Sequence, residues 1–341
     1  MSGTVAEIVA DVRARGDEAL TEWALSLDGI APARAEPEAG LPEDAVLDLA
    51  DRVRRWHEEQ RPADLRMEIE PGVELERRWM PLESVGIYVP RGLVSTLVMC
   101  AVPAQVAGVN RIVVVTPPAG AGLVAAAAEL LGVDEVWAVG GPQAIAALAY
   151  GTDAIAAVDK IVGPGNAYVN EAKLLVSRDV AIDLPAGPSE VLVVLGRGGD
   201  AEAAEREVAA QAEHGEGTVC RVIDGADLEA ALVEIDRSAP EHLVLLGEAV
   251  ALASRVRHAG AIFVGDYSPV ATGDYATGGN HVLPTGGRAR STGGLGLETF
   301  LKPVTVQRLT HEGLELVRPV VEALAEVEGM PAHADAVRRR D

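Results

Sequence analysis

Apolar positions recur at helical spacing through residues 4–25 and again through 43–60, where "LPEDAVLDLADRVRRWHEEQ" starts from Pro42 with acids in its first turn, as a helix dipole prefers. These predict a helical lead-in. From Glu83 short β-branched runs alternate with helical ones: "RIVVVT", "AGLVAAAAELLG", "EVWAV", "GPQAIAALAYG", "DKIV" and "NAYVNEAKLLVS". Runs apolar on both faces and joined by helices predict a parallel sheet with right-handed crossovers. The alternation resumes with "EVLVVL" near 190, a helix through "AEAAEREVAAQAEH", "TVCRVI" near 218, a helix around 227–236 and "GAIFVG" near 260, which predicts a second parallel sheet.

Residues 266–294 break this rhythm. They are rich in Gly, Asp, Thr, Pro and Asn, and a loop of that length in a compact domain needs a function to justify it. After "TFLKPVTVQRLT" a terminal helix, "HEGLELVRPVVEALAEVEG", leads into a polar tail. The expected class is α/β, two Rossmann-like parallel-sheet domains with a helical N-terminal lead-in and a C-terminal helical tail.

Composition narrows the classes of function. In 341 residues, 29 basic against 52 acidic side chains leave a net charge of −23, which disfavours nucleic acid and anionic membranes as partners. Hydrophobic residues make up 48%, ample for packed cores, yet no run of about 18 apolar residues offers a membrane span. Cys100 and Cys220 are the only cysteines, so no disulfide framework is expected. Both are expected to be buried, in a protein of the cytoplasm.

Several stretches carry side chains able to do chemistry. In "SAPEHLVLL", Glu241 and His242 are adjacent, and on a regular strand they would face opposite ways. Pro240 fixes its own φ and pushes Ala239 towards an extended conformation, predicting a turn at the mouth of Leu243–Leu246 that lets the pair share a pocket. In "AAQAEHGEG", Gln211 and His214 lie three apart on one helix face, where an amide oxygen and an imidazole can hold a divalent cation such as zinc or merely end a helix. "TGDYATGGNHVLPT" puts Asp274 and His281 in the long loop, and "VEGMPAHADAV" puts Glu328 and His333 beyond the last long helix. Ser189 in "DLPAGPSEVLVV" enters a strand. "VGPGNAYV" and "VGGPQAI" each follow a strand and open a helix, suiting an anion at a helix N-terminus, although neither is G-x-G-x-x-G.

Taken in order from about Gly16 to Arg338, "YVPRG", "GGPQAIAALAYGT", "VGPGNAYVNEAK", "IDLPAGPSEVLV", "AQAEH", "APEHL", "AGAIFVG", "GDYATGGNHVLPT" and "HADAV" resemble the histidinol dehydrogenase family. The resemblance implies zinc, one per subunit, held by Gln211, His214, Asp274 and His333. It implies substrate contacts from Ser189, Gln211, His214, His242, Asp274, Glu328 and His333, with His281 as a further positioning group. Tyr88, Gln143 and Asn166 match NAD-contacting positions. His242 is implied to transfer protons and Glu241 to activate water, while zinc-bound L-histidinol is oxidised to L-histidine through L-histidinal with two NAD, the last steps of histidine biosynthesis. A domain-swapped homodimer with shared active sites is also implied. The expected division is a helical segment 1–25, a discontinuous α/β domain 26–86 plus 190–298 with most metal ligands, an NAD-side α/β domain 87–189, and a swapped tail 299–341.

This chain departs from the family in three places. Only residues 215–240 separate "AQAEH" from "APEHL", the lead-in is short, and Arg91 replaces a glycine near Tyr88. The shortening keeps rivals in view: a dehydrogenase for another small polar alcohol such as a sulfonated diol, a non-catalytic zinc or imidazole binder, and a zinc hydrolase with Glu241 as base.

Overall fold

The computed structural model describes residues 3–340 except 186, 214 and 216. Its chain gathers into two compact units, residues 1–60 with 82–300, and residues 61–81 with 301–341. The helical lead-in begins with α1 (Val5–Arg15), whose Thr4 and Glu7 form a reciprocal capping box and whose Val5, Ile8, Val9 and Val12 make one buried stripe. Gly16, at φ 58° and ψ −130°, breaks the predicted single helix and starts α2 (Asp17–Leu27). Both helices share a core with the sheet helices α6 and α7 described below. After the two-residue strand β1 (Ala33–Arg34), α3 (Glu43–Glu58) starts beyond Pro42 as its acidic first turn predicts.

The larger sheet of the first unit contains β1, β4 (Ser84–Tyr88), β5 (Arg111–Thr116), β6 (Glu135–Ala138), β7 (Lys160–Val162) and β8 (Ala181–Ile182). The intervening strands β2 (Leu65–Glu70) and β3 (Val73–Pro81) belong to the second unit. The order is β1-β6-β5-β4-β7-β8, parallel throughout except for β1 against β6. Crossovers are made by α4 (Val94–Ala107), α5 (Ala121–Leu130), α6 (Gly141–Tyr150) and α7 (Ala167–Val176). The strands therefore divide differently from the four-part expectation: β1 and the whole of β4 lie with the sheet of residues 87–189. An apolar strand such as "SVGIY" satisfies its backbone best between two neighbours, and β5 and β7 supply both.

A second parallel sheet holds β9 (Glu190–Leu195), β10 (Val219–Asp224), β11 (His242–Leu246) and β12 (Ala261–Val264) in the order β10-β9-β11-β12, with α8 (Ala201–Ala212) and α9 (Leu228–Ser238) as crossovers. The long loop keeps its irregular character but contains a short helix, α10 (Val270–Tyr275).

The second unit comprises the antiparallel sheet β2-β3-β13, where β13 is Leu301–Leu309, together with α11 (His311–Val327) and α12 (Pro331–Arg338). A hairpin and a helix show why some elements were not foreseen. In "LRMEIEPGVELER" apolar and charged residues alternate around Pro71–Gly72, a hairpin signal that the helical flanks obscured. Helix α4 is buried nearly all round, so it has no apolar stripe to reveal its period. Cys100 within it is buried as expected, whereas Cys220 on β10 is only half-buried because β10 is an edge strand. Among the described residues no helix is long and apolar enough to cross a membrane.

Candidate active site

Glu241 and His242 meet in an unforeseen way. Ala239 is left-handed, at φ 47° and ψ 60°, and not extended. Helix α9 reaches Ser238, and its C-terminal cap, closed by the Ala239 N–H on the Ile235 carbonyl at 2.8 Å, overrides the preference of a residue before proline. Three residues after Ala239 β11 begins at His242, paired with Val191 of β9. Glu190, one step earlier, opens β9 and is registered against Val219 of β10, so on the β11 side it stands just before the first paired residues. Two side chains bond its backbone there: the Glu190 N–H donates to Glu241 Oε2 at 2.8 Å, and its carbonyl lies 2.9 Å from His242 Nδ1. A common anchor thus turns both side chains the same way, with His242 Nδ1 3.5 Å from Glu241 Oε2 and both residues buried.

A relay reaches this pair from α8. Gln211 Nε2 donates to Ser189 Oγ at 2.6 Å, and the Ser189 hydroxyl donates to Glu241 Oε2 at 2.6 Å. The amide nitrogen of Gln211 being engaged, its oxygen is the atom left to meet a cation. One turn earlier on the buried face of α8 is Glu207, which sequence reasoning missed although it stands at i−4 from Gln211. Its carboxylate accepts from Val270 N–H at 3.1 Å and so holds the start of α10, the helix carrying Asp274. Burial pushes the Glu207 carboxyl above the usual range, the hydrogen bond from Val270 opposes this, and the charge of Asp274 adds to it. His281 Nδ1 lies 3.8 Å from Asp274 Oδ1, its Nε2 lies 3.4 Å from Thr96 Oγ1, and neighbouring Asn280 donates to the Met99 carbonyl at 2.6 Å, which moors the loop to α4.

The cofactor-side candidates gather at the carboxyl edge of the first sheet. Strand order reverses there: the chain leaves β4 towards β5 and β6, then returns to β7 on the other flank, which opens a crevice between the ends of β4 and β7. Tyr88 closes β4, and its hydroxyl accepts from Gly141 N–H at 3.3 Å; burial pushes its phenol up to about 12. Gln143, in the first turn of α6, donates to Asp28 Oδ2 at 3.2 Å, while its Oε1 is buried without a hydrogen-bond partner. Asn166 caps α7 by accepting from Val169 N–H at 3.0 Å and is exposed at the crevice lip.

The second sheet behaves oppositely. Ser189, Glu190, Glu241 and His242 stand at the amino edge of β9 and β11, at the strand entries where the sequence put Ser189 and the Glu241–His242 turn. The carboxyl-edge crevice between those strands is filled by backbone: a Cβ on Gly196 or Gly247 would collide with Ala249 N or Gly199 N.

Among the described residues no three His, Cys, Asp or Glu side chains cluster as a metal set. His214 lies outside the described residues. Glu328 and His333 belong to the second compact unit, where Glu328 caps α11 and His333 lies on α12, both exposed.

The family model described as histidinol dehydrogenase matches residues 1–226 and 217–341. The chain belongs to the histidinol dehydrogenase family. It is therefore an oxidoreductase fold and an enzyme by descent, as its relatives' names state. Histidinol dehydrogenase of Methanosarcina barkeri is 40% identical, covering 99% of this chain and 91% of its own. That of Cereibacter sphaeroides is 43% identical, covering 100% and 92%. The crystal structure of histidinol dehydrogenase from Elizabethkingia anophelis superposes with a TM-score of 0.90 at 31% identity, covering 98% of this chain and 90% of its own.

The shortening is visible in the same comparisons. The M. barkeri alignment runs to 395 positions on a chain of 341 residues, and the two matched stretches overlap at residues 217–226, which contain β10. In this chain β10 is the edge of its sheet, with Val219 and Val222 exposed. The trimming stops on the far side of β9 from β11, so the Glu241–His242 anchor on Glu190 is kept.

Proposed function

We propose that this protein oxidises L-histidinol to L-histidine through L-histidinal, with two NAD and one zinc ion per subunit, in the last steps of histidine biosynthesis. The shared anchoring of Glu241 and His242 on Glu190 carries this reading. Oxidising an alcohol to an acid needs two proton-handling tasks at one carbon, and two adjacent buried titratable groups aimed the same way meet that need. His242 takes the hydroxyl proton as hydride leaves the carbinol carbon. Glu241, held by Ser189 and Glu190, takes a proton from the water that attacks the aldehyde, and His242 serves again in the second oxidation. NAD, when bound, would accept the hydride released in each oxidation.

Gln211, with its amide oxygen turned from Ser189, and Asp274, with a carboxylate, fit a zinc donor set that His214 and His333 would complete. Zinc, when bound, would orient the substrate's imidazole and amino group. Ser189, His281 and Glu328 complete the proposed substrate contacts. The orphaned Gln143 Oε1, with Tyr88 and Asn166 at the same crevice, supports NAD there. Leu316, Val320, Leu324 and Val327 are exposed along α11, an apolar stripe that supports a homodimer whose tails, with Glu328 and His333, complete shared active sites. Free Cys100 and Cys220 suit the reducing cytoplasm.

The test is NADH formation from L-histidinol by zinc-loaded protein beside His242→Asn. Two NADH per histidinol, lost in the variant, is the expected result. No NADH from folded, zinc-loaded protein would overturn the proposal.

A further inference from the structure

One buried charge pair stands outside the chemistry above. Lys173 is 0% exposed, on the face of α7 turned to the sheet, and the Asp183 side chain is 2% exposed. An ammonium ion held that deep is retained only if its donors are all met. Lys173 Nζ bonds the Gly163 carbonyl at 2.8 Å, the Leu184 carbonyl at 3.3 Å and the Asp183 carboxylate. Asp183 Oδ2 in turn accepts from Gly163 N–H at 2.7 Å. The pair therefore grips both backbone groups of Gly163 and, through Asp183 and Leu184, the start of the segment leading to Ser189.

These two grips serve different sides of the molecule. Gly163, at φ 104°, opens the turn that ends in Asn166, and a Cβ there would collide with the Tyr88 carbonyl, so the turn is seated on the strand end that flanks the cofactor crevice. Ser189 lies at the other end of its segment and bonds Glu241. A salt bridge serving stability alone has no need to join these two places, and an apolar pair would fill the space as well.

We propose that Lys173, with Asp183, is a positioning device that registers the cofactor-side turn against the substrate-side segment, setting the separation at which hydride passes. Kinetically this rests on the dehydrogenase reading. Reaction rate is steep in such separations, a displacement near 1 Å being worth on the order of 100-fold.

The test uses full-length, zinc-loaded protein carrying Lys173→Met with Asp183→Asn, which removes both charges together and keeps the fold, with Lys173→Met alone for comparison. Melting temperature, kcat, KM for NAD and amide hydrogen exchange of peptides covering 163–170 and 184–192 are measured. The expected result is a folded double variant in which kcat falls by roughly 10- to 100-fold, KM for NAD rises, and exchange quickens in both peptides together. Wild-type kcat and KM in a less stable double variant would overturn the proposal and leave an anchor only. Should the wild type itself form no NADH, the dehydrogenase reading fails, and exchange still decides the coupling: quickening confined to 163–170 in Lys173→Met overturns it.

Discussion

Replacing Glu241 with Gln separates the two oxidations. The Ser189 hydroxyl at 2.6 Å and the Glu190 N–H at 2.8 Å donate to the same oxygen, Oε2. A glutamine can place its amide oxygen there and keep both bonds, at a loss in charge assistance of about 1 kcal/mol for each, so the variant is expected to fold. His242 keeps its bond to the Glu190 carbonyl and with it the first oxidation. Removal of a general base slows its own step by ~100- to 10,000-fold, about 3–5 kcal/mol in barrier, so aldehyde oxidation stalls. The assay counts NADH per histidinol and traps released aldehyde with a hydrazine: one NADH and one trapped aldehyde are expected. Two NADH per histidinol at the wild-type rate would refute the role of Glu241, and loss of both oxidations in a folded variant would refute its separation from His242.

Three further outcomes follow from the same geometry. His57 is buried with Nδ1 2.7 Å from the Val53 carbonyl, and burial depresses its pKa below the ordinary 6.5; the neutral ring is favoured in the fold, so its contribution is complete above that value and lost as pH falls below it. Urea midpoints should drop between pH 7 and 5.5, and drop less in His57→Phe; equal drops would count against it. Chelation should abolish NADH formation and lower the melting temperature, with zinc restoring both, and retention of activity after exhaustive dialysis against chelator would count against a zinc requirement. Val320→Glu with Leu324→Glu should shift the protein to monomer on a sizing column, each exposed side chain being worth ~1.5–3 kcal/mol when buried in a partner; an unmoved peak would place the interface elsewhere.

Much of this protein was legible along the chain. Period-two and period-3.6 runs are local properties, so both parallel sheets and most crossover helices followed from "RIVVVT", "EVLVVL" and their neighbours, and ordered motifs named the family. What escaped depends on distant partners. Helix α4 has no apolar stripe because sheet and helices cover it on all sides. Ala239 turns left-handed because a helix end, not its proline neighbour, decides its conformation. Glu207 gains its role from Val270 and Lys173 from Gly163 and Asp183, pairings with no fixed spacing that a periodicity can register. Adjacent residues in the sequence announced Glu241 and His242 as a pair, but only the backbone of Glu190, 51 and 52 positions away, turns them to one side. Local propensity sets which elements form, and the orientation of side chains at an edge is set by whichever backbone groups the fold brings there.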